Sequence, residues 1–292
     1  MGMRDAIPVI FAATLLDELN DKLVFGKVAT KKYSGEIKEK GDRVKLKGYG
    51  DVTINDYNPG DATWDAANPN GLTYQDTHAA AIFLDVDHAK DYAIKLHDIT
   101  ELQSDPAARQ HYAKKAAFGL DEQVDTFLAG LYTQAAAGTY ALKSTAITTA
   151  LITSYIGELW TKLQHENIDK KALFVPPWVV EKMRLAGIVH GEDLMGDHMV
   201  NGFIKSTLQF DIYMSNNCPA LAPVTAGYRR NIITACSYEA MAFVDQMTEA
   251  ETLRSQGYFA DLVRGLHVWG GRLIKPKELV YLDLEEAPET TI

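Results

Sequence analysis

The sequence predicts an α+β protein, on three observations. Residues 105 to 137 carry a long apolar stripe at helical spacing behind an Asp105-Pro106 start. Residues 27 to 97 alternate apolar and polar side chains, as strands do, on either side of an irregular stretch. Residues 145 to 245 mix helical and strand-like runs, and strand-like runs return from 250 to 284.

Composition bounds what such a chain does. With 292 residues there is room for one large domain or two moderate ones. Hydrophobic residues make up 47% and charged residues 23%, enough to bury an ordinary core. A net charge of -10 argues against gripping nucleic acid by its phosphates, a task for Lys and Arg. Cys218 and Cys236 fit no metal or redox spacing and read as reduced thiols. No run is long enough to span a membrane.

The elements follow in chain order. "IPVIFAATLL" after Arg4 resembles a signal peptide only briefly, because apolar spacing continues through Leu15, Leu16, Leu19 and Leu23 with acids between. That pattern predicts an amphipathic helix from Val9 to Phe25, ending near Gly26. "DRVKLKGYGDVTIND" reads as a strand, and "GLTYQDTHAAAIFLDVDHAKDYAIKLHD" as its return, with Ile82, Leu84 and Val86 on one face. Together they predict a long hairpin. Asp105 is a good N-cap and Pro106 suits N1, so a helix is expected to run to about Ala137. Its stripe is Tyr112, Ala116, Leu120, Val124, Phe127, Leu131 and Ala135, and its length about 45–50 Å. In 145 to 245, "ITTALITSYIGELWTKLQ" predicts a helix burying Leu151, Tyr155, Leu159 and Leu163. "KALFV", "FIKSTL", "FDIYMSN", "NIITACS" and "AMAFVDQ" predict strands, and a short helix runs through Trp178 and Met183. The tail, with Asp283, Glu285, Glu286 and Glu289 and no base, is expected to be a solvated end.

No motif for catalysis stands out. P-loop, G-x-G-x-x-G, H-E-x-x-H and G-x-S-x-G patterns are all missing. "HGEDLMGDH" gathers His190, Glu192, Asp193, Asp197 and His198, but with no regular ligand spacing, so a solvated loop is the simpler reading. Asp85 and Asp87 fall on one strand face, yet no partner nearby in sequence equips them for acid–base work. Trp160 and Trp178 read as core.

One other feature is unusual. Residues 51 to 89 contain Asp51, Asp56, Asp61, Asp65, Asp76, Asp85 and Asp87 and no Lys or Arg. Within them "NPGDATWDAANPNG" places Trp64 on an irregular acidic stretch just after Tyr57. The long helix, by contrast, opens with Arg109, Lys114 and Lys115. Two readings stand: a head-to-tail contact between copies, or a solvated loop with Trp64 folded onto its own hairpin.

The order of these elements resembles the major capsid proteins of tailed bacteriophages, with their Hong Kong 97-type fold. The stretches "LVFGKVATKKYSGEIKEKGDRVKL", "ALFVPPWVVEKM", "VNGFIKSTLQFDIYMSNN" and "FADLVRGLHVWGGRLIKPKELVYL" carry the likeness, which covers nearly the whole chain. It implies an N-terminal arm at 1–34, an extended β-hairpin loop at 35–82, and a peripheral domain with a spine helix at 83–144. An α/β axial domain at 145–245 and peripheral return strands with the tail at 246–292 would complete it. It further implies a structural, non-enzymatic protein without cofactor that self-assembles as pentamers and hexamers into an icosahedral shell around double-stranded DNA, without sequence-specific binding. Tyr57, Asp61, Trp64 and Asp65 of one copy would then meet Arg109, Lys114 and Lys115 of another. Some members cross-link a loop Lys to an Asn of a neighbour; the lack of Lys from Asp51 to Ala89 predicts none here. A separate scaffolding protein and a portal are expected partners, no membrane is, and the location implied is the virion, with assembly in host cytoplasm. The alternatives are an encapsulin-like compartment shell and, in another class, a cytoplasmic α/β enzyme using a metal at 190–198.

Overall fold

A computed structural model describes residues 23–32, 43–48, 80–97, 108–135, 145–164, 170–189, 203–207 and 209–286. The expected arm helix from Val9, the Asp105-Pro106 start and the 190–198 cluster lie outside them.

The first described element is a single helical turn, α1 (Phe25–Val28); Leu23 and Val24 before it are not helical, so a helix expected to run to Phe25 is interrupted there and the turn extends past Gly26. Strand β1 (Arg43–Gly48) pairs antiparallel with β2 (Ala80–Asp85), Val44 opposite Leu84, which forms the base of the expected hairpin. As the alternation predicts, Leu84 and Val86 are buried and Ile82 packs against them.

After a two-residue break the chain continues as β3 (His88–His97). It forms the edge of a three-stranded antiparallel sheet with β10 (Met241–Arg254) and β11 (Ala260–Leu273). The break crosses β11 at Gly270, where an added Cβ would sit 2.3 Å from the carbonyl oxygen of Asp85. Only a residue without a side chain permits that approach. Arg272 fastens the crossing by donating from Nη1 to the Phe83 carbonyl at 2.7 Å.

The long helix α2 (Ala108–Gly130) lies over the other face of β11 and tightens into a 3-10 turn, Leu131–Gln134. Its described α-helical part is therefore about 35 Å long, shorter than expected, and loses α geometry before Ala137. Leu120, Val124 and Leu131 are buried as predicted, but Tyr112 is 46% exposed. The buried face instead takes in Ala117, Leu128 and two acids, Asp121 and Asp125. Gly271 opens space for this packing: a Cβ there would lie 3.0 Å from the Phe127 ring.

The remaining strands are β4 (Thr145–Ile147), β5 (Lys171–Val175), β6 (Phe203–Thr207), β7 (Phe210–Met214), β8 (Ala220–Leu221), β9 (Arg230–Ser237) and β12 (Leu279–Glu286). They build a mixed sheet in the order β4-β12-β9-β5-β7-β6, with β8 against β9. Helices α3 (Thr149–Gln164) and α4 (Pro177–Leu185) contribute apolar side chains to its core. The buried line of α3 is Ile152, Ile156, Leu159 and Leu163, with Tyr155 at its margin; Leu151, expected inside, is 39% exposed. Every residue of "KALFV" is buried, as befits a strand covered on both faces. Leu173 and Val175 join the α3 and α4 core, while Ala172 and Phe174 join α1, α2 and the β10–β11 strands. Stretch 246–292 is thus divided between two sheets, β11 in one and β12 in the other. Asp283 and Glu285, expected in a solvated tail, are instead buried in β12, where Asp283 accepts from the Arg230 guanidinium at 2.8 Å and Glu285 from the Thr225 amide at 2.7 Å.

Candidate functional site

Of the residues predicted to meet between copies, Tyr57, Asp61, Trp64 and Asp65 lie outside the described residues. Arg109 lies in the first turn of α2, and Lys114 and Lys115 are exposed on that helix. The helix turns Phe118, 51% exposed, to solvent along with them, and Tyr112 too. Helical spacing sets Phe118 one turn from both lysines. The outward side of α2 is therefore both basic and aromatic, a composition suited to an acidic partner carrying a large apolar side chain. Phe118 went unnoticed in the sequence because it falls off the buried stripe; an aromatic off-stripe was itself the signal.

A second exposed aromatic pair stands at the turn joining β10 to β11. Tyr258 and Phe259 are 66% and 78% exposed. The Lys95 ammonium lies 3.3 Å from the centroid of the Tyr258 ring and holds it over β3.

The carboxylates tested for chemistry are otherwise engaged. Asp85 accepts from the guanidinium of Arg43 at the hairpin base, and Asp87 lies 3.4 Å from Nε2 of His88. Among the described residues no group of three His, Cys, Asp or Glu side chains is placed to hold a metal. A cleft of about 370 Å³ beside α1 is lined by Lys27, Lys31 and Tyr238 among others, and among the described residues its lining has no acid, histidine or cysteine. Burial pushes the thiols of Cys218 and Cys236 up to about 12, so both stay protonated and unreactive. Trp178 is core as predicted, and its Nε1 donates to Oδ1 of Asn231 at 2.9 Å. Trp160 is half-buried against the same core.

The most consequential residue missed in the sequence is Asp125. Its carboxylate, on the buried side of α2, accepts from the backbone amides of Val24 at 2.8 Å, Phe25 at 3.1 Å and Gly26 at 3.3 Å. These are orphan donors at the start of α1, and no residue of α1's own N-cap bonds them through its side chain. Burial pushes this carboxyl up to about 6 even though the three amides and the Asn217 side chain hold it down. An Asp amid a helical pattern reads as a solvent-facing residue, so nothing in the sequence marked it.

With this geometry in place, the likeness to known structures becomes interpretable. A protein of Mycobacterium phage Che8 superposes with a TM-score of 0.68 at 23% identity, over 89% of this chain and 90% of that one. The capsid of cyanophage P-SCSP1u gives 0.63 at 16% identity over 91% and 89%. The capsid of Ralstonia phage GP4 gives 0.65 at 9% identity over 94% of both chains. No protein-family model matches the chain, and no curated protein does. The chain has the Hong Kong 97-type fold of tailed-phage capsid subunits, reached with little shared sequence.

Proposed function

We propose that this chain is the major capsid protein of a tailed bacteriophage, a structural protein without catalytic activity. The observation that carries the reading is the extent of the likeness. It spans about nine-tenths of each chain, which favours a likeness of the subunit as a whole over one confined to a single part. In this reading copies close through pentamers and hexamers into an icosahedral shell around double-stranded DNA. Residues 145–240 together with β12 serve as the axial domain, and 83–144 with β10 and β11 as the peripheral domain. The hairpin of 35–82 reaches over a neighbour, where Trp64 and its flanking acids meet the basic, aromatic side of α2. An acid-rich chain suits the task, because an inner wall that does not attract phosphates lets packaged DNA move. A separate scaffolding protein and a portal are the partners this role requires, and the virion is its place. Among the described residues no helix is long and apolar enough to cross a membrane.

The test is the content of particles produced with the phage's assembly partners. Nuclease-protected double-stranded DNA inside a closed shell is the expected result. Shells holding only a protein cargo would redirect the reading to a compartment.

A further inference from the structure

We propose that Asp125 is a positioning residue for assembly: it seats residues 23–32 as a strap and so fixes where the arm and the hairpin both leave the body. Three observations converge on this. Asp125, itself buried, gathers three consecutive amides of the strap, those of Phe25 and Gly26 inside the protein and that of Val24 at its margin. Leu23, Phe25, Val28 and Ala29 plug the junction at which α2, the three-stranded sheet and the mixed sheet meet, and the Phe25 ring stacks 4.0 Å from that of Phe174. Downstream, Thr30 pairs with β10, donating to the Met241 carbonyl at 2.8 Å and accepting from the Phe243 amide at 3.0 Å.

The strap has two ends with different consequences. Residues 1–22 precede it and residues 33–42 follow it toward β1. On the capsid reading above, the first belongs to the arm and the second leads into the hairpin that reaches over a neighbour. At the second end Lys32 and Lys275 both reach Glu239, at 3.1 and 3.3 Å, but these groups are largely exposed. Exposed pairs of this kind hold weakly. A carboxylate buried with three amide donors is the stronger tie, because removing it leaves all three donors without an acceptor inside the protein. One side chain on the spine helix therefore sets the departure geometry of both flanking segments. The seat is also tight: a Cβ on Gly26 would lie 2.8 Å from Cδ1 of Leu23.

The test uses the full chain with two variants, Asp125→Ala and Asp125→Asn, the second retaining one acceptor oxygen. Hydrogen exchange on unassembled protein reads the tie, and electron microscopy of particles reads its use. In Asp125→Ala the amides of Val24, Phe25 and Gly26 should exchange about tenfold faster or more than in the parent, with helical dichroism unchanged. Asp125→Asn should lie between the two. Particles of Asp125→Ala should be irregular or open where the parent gives uniform shells. Unchanged protection of those three amides in both variants overturns the tie. A loosened strap with uniform shells overturns its role in assembly. If the parent itself forms no shells, the capsid reading fails, and the exchange data still decide the tie.

Discussion

Gly270 lies directly under the backbone of Asp85, so close that a methyl group on it would sit 2.3 Å from the Asp85 carbonyl oxygen and 3.0 Å from the Val86 Cα. The obstacle is main chain, which cannot rotate aside as a side chain does. Gly270→Ala should therefore destabilise the subunit by about 3 kcal/mol, at the upper end of overpacking costs. Gly271→Ala faces the Phe127 ring at 3.0 Å and a Leu128 methyl at 3.2 Å, which can shift, and should cost about 1 kcal/mol. Gly130→Ala meets nothing within 4 Å at the end of α2 and should be neutral or stabilise by up to about 1 kcal/mol. Urea unfolding of dissociated subunits measures the order, and an equal effect at all three positions would contradict the crossing.

The strap makes a separate stability prediction. Phe25 is 1% exposed and stacked on Phe174 at the junction of the sheets. Phe25→Ala should cost about 3–5 kcal/mol, the range for emptying a core aromatic site. A loss below about 1 kcal/mol would mean that the junction stands without its plug.

Two buried groups give stability opposite dependences on pH. Asp125 moves from an ordinary 3.8 to about 6 on folding, so the folded form holds the proton more firmly. Its contribution is fully present in acid and is lost as pH rises from about 4 through 6, by up to about 3 kcal/mol. His267, 1% exposed, has its pKa lowered by burial, so folding disfavours its protonation. Its contribution is present above the ordinary 6.5 and declines as pH falls below it. Relative to Asp125→Asn, the parent should gain stability between pH 7 and pH 5. Relative to His267→Gln, it should lose stability over the same range. Parallel curves for parent and Asp125→Asn would show that the carboxyl is not perturbed by its burial.

The proposed contact between copies would rest on charge and an aromatic anchor. Trp64→Ala should leave the subunit folded and weaken assembly, because a large apolar side chain at an interface is often a hot spot. Lys114→Glu with Lys115→Glu should do similar harm, and basic replacements at Asp61 and Asp65 should restore part of it. Light scattering during assembly, followed against salt, is the measurement. Insensitivity of assembly to salt and to these reversals would remove the electrostatic part of the contact.

How much of this was legible in the sequence differs from element to element. The α2 stripe at Leu120, Val124 and Leu131 followed from helical spacing, and the Leu84 and Val86 face from strand alternation. In α3 the adjacent pair Leu151 and Ile152 offered two equally apolar stripes, and only packing on the mixed sheet chose Ile152. Asp125 was invisible because its partners, Val24 to Gly26, come from a segment about a hundred residues earlier. Gly270 drew no reading of its own in the sequence, because which backbone crosses it is a tertiary fact. The acidic stretch around Trp64 was legible as composition; its target on a second copy is a matter for assembly experiments.

Sedimentation of the purified wild-type protein, with electron microscopy of the same fractions, tests the central claim most directly. Closed icosahedral shells tens of nanometres across are the predicted result. A stable monomer or dimer that never closes, with scaffolding and portal partners supplied, would contradict it.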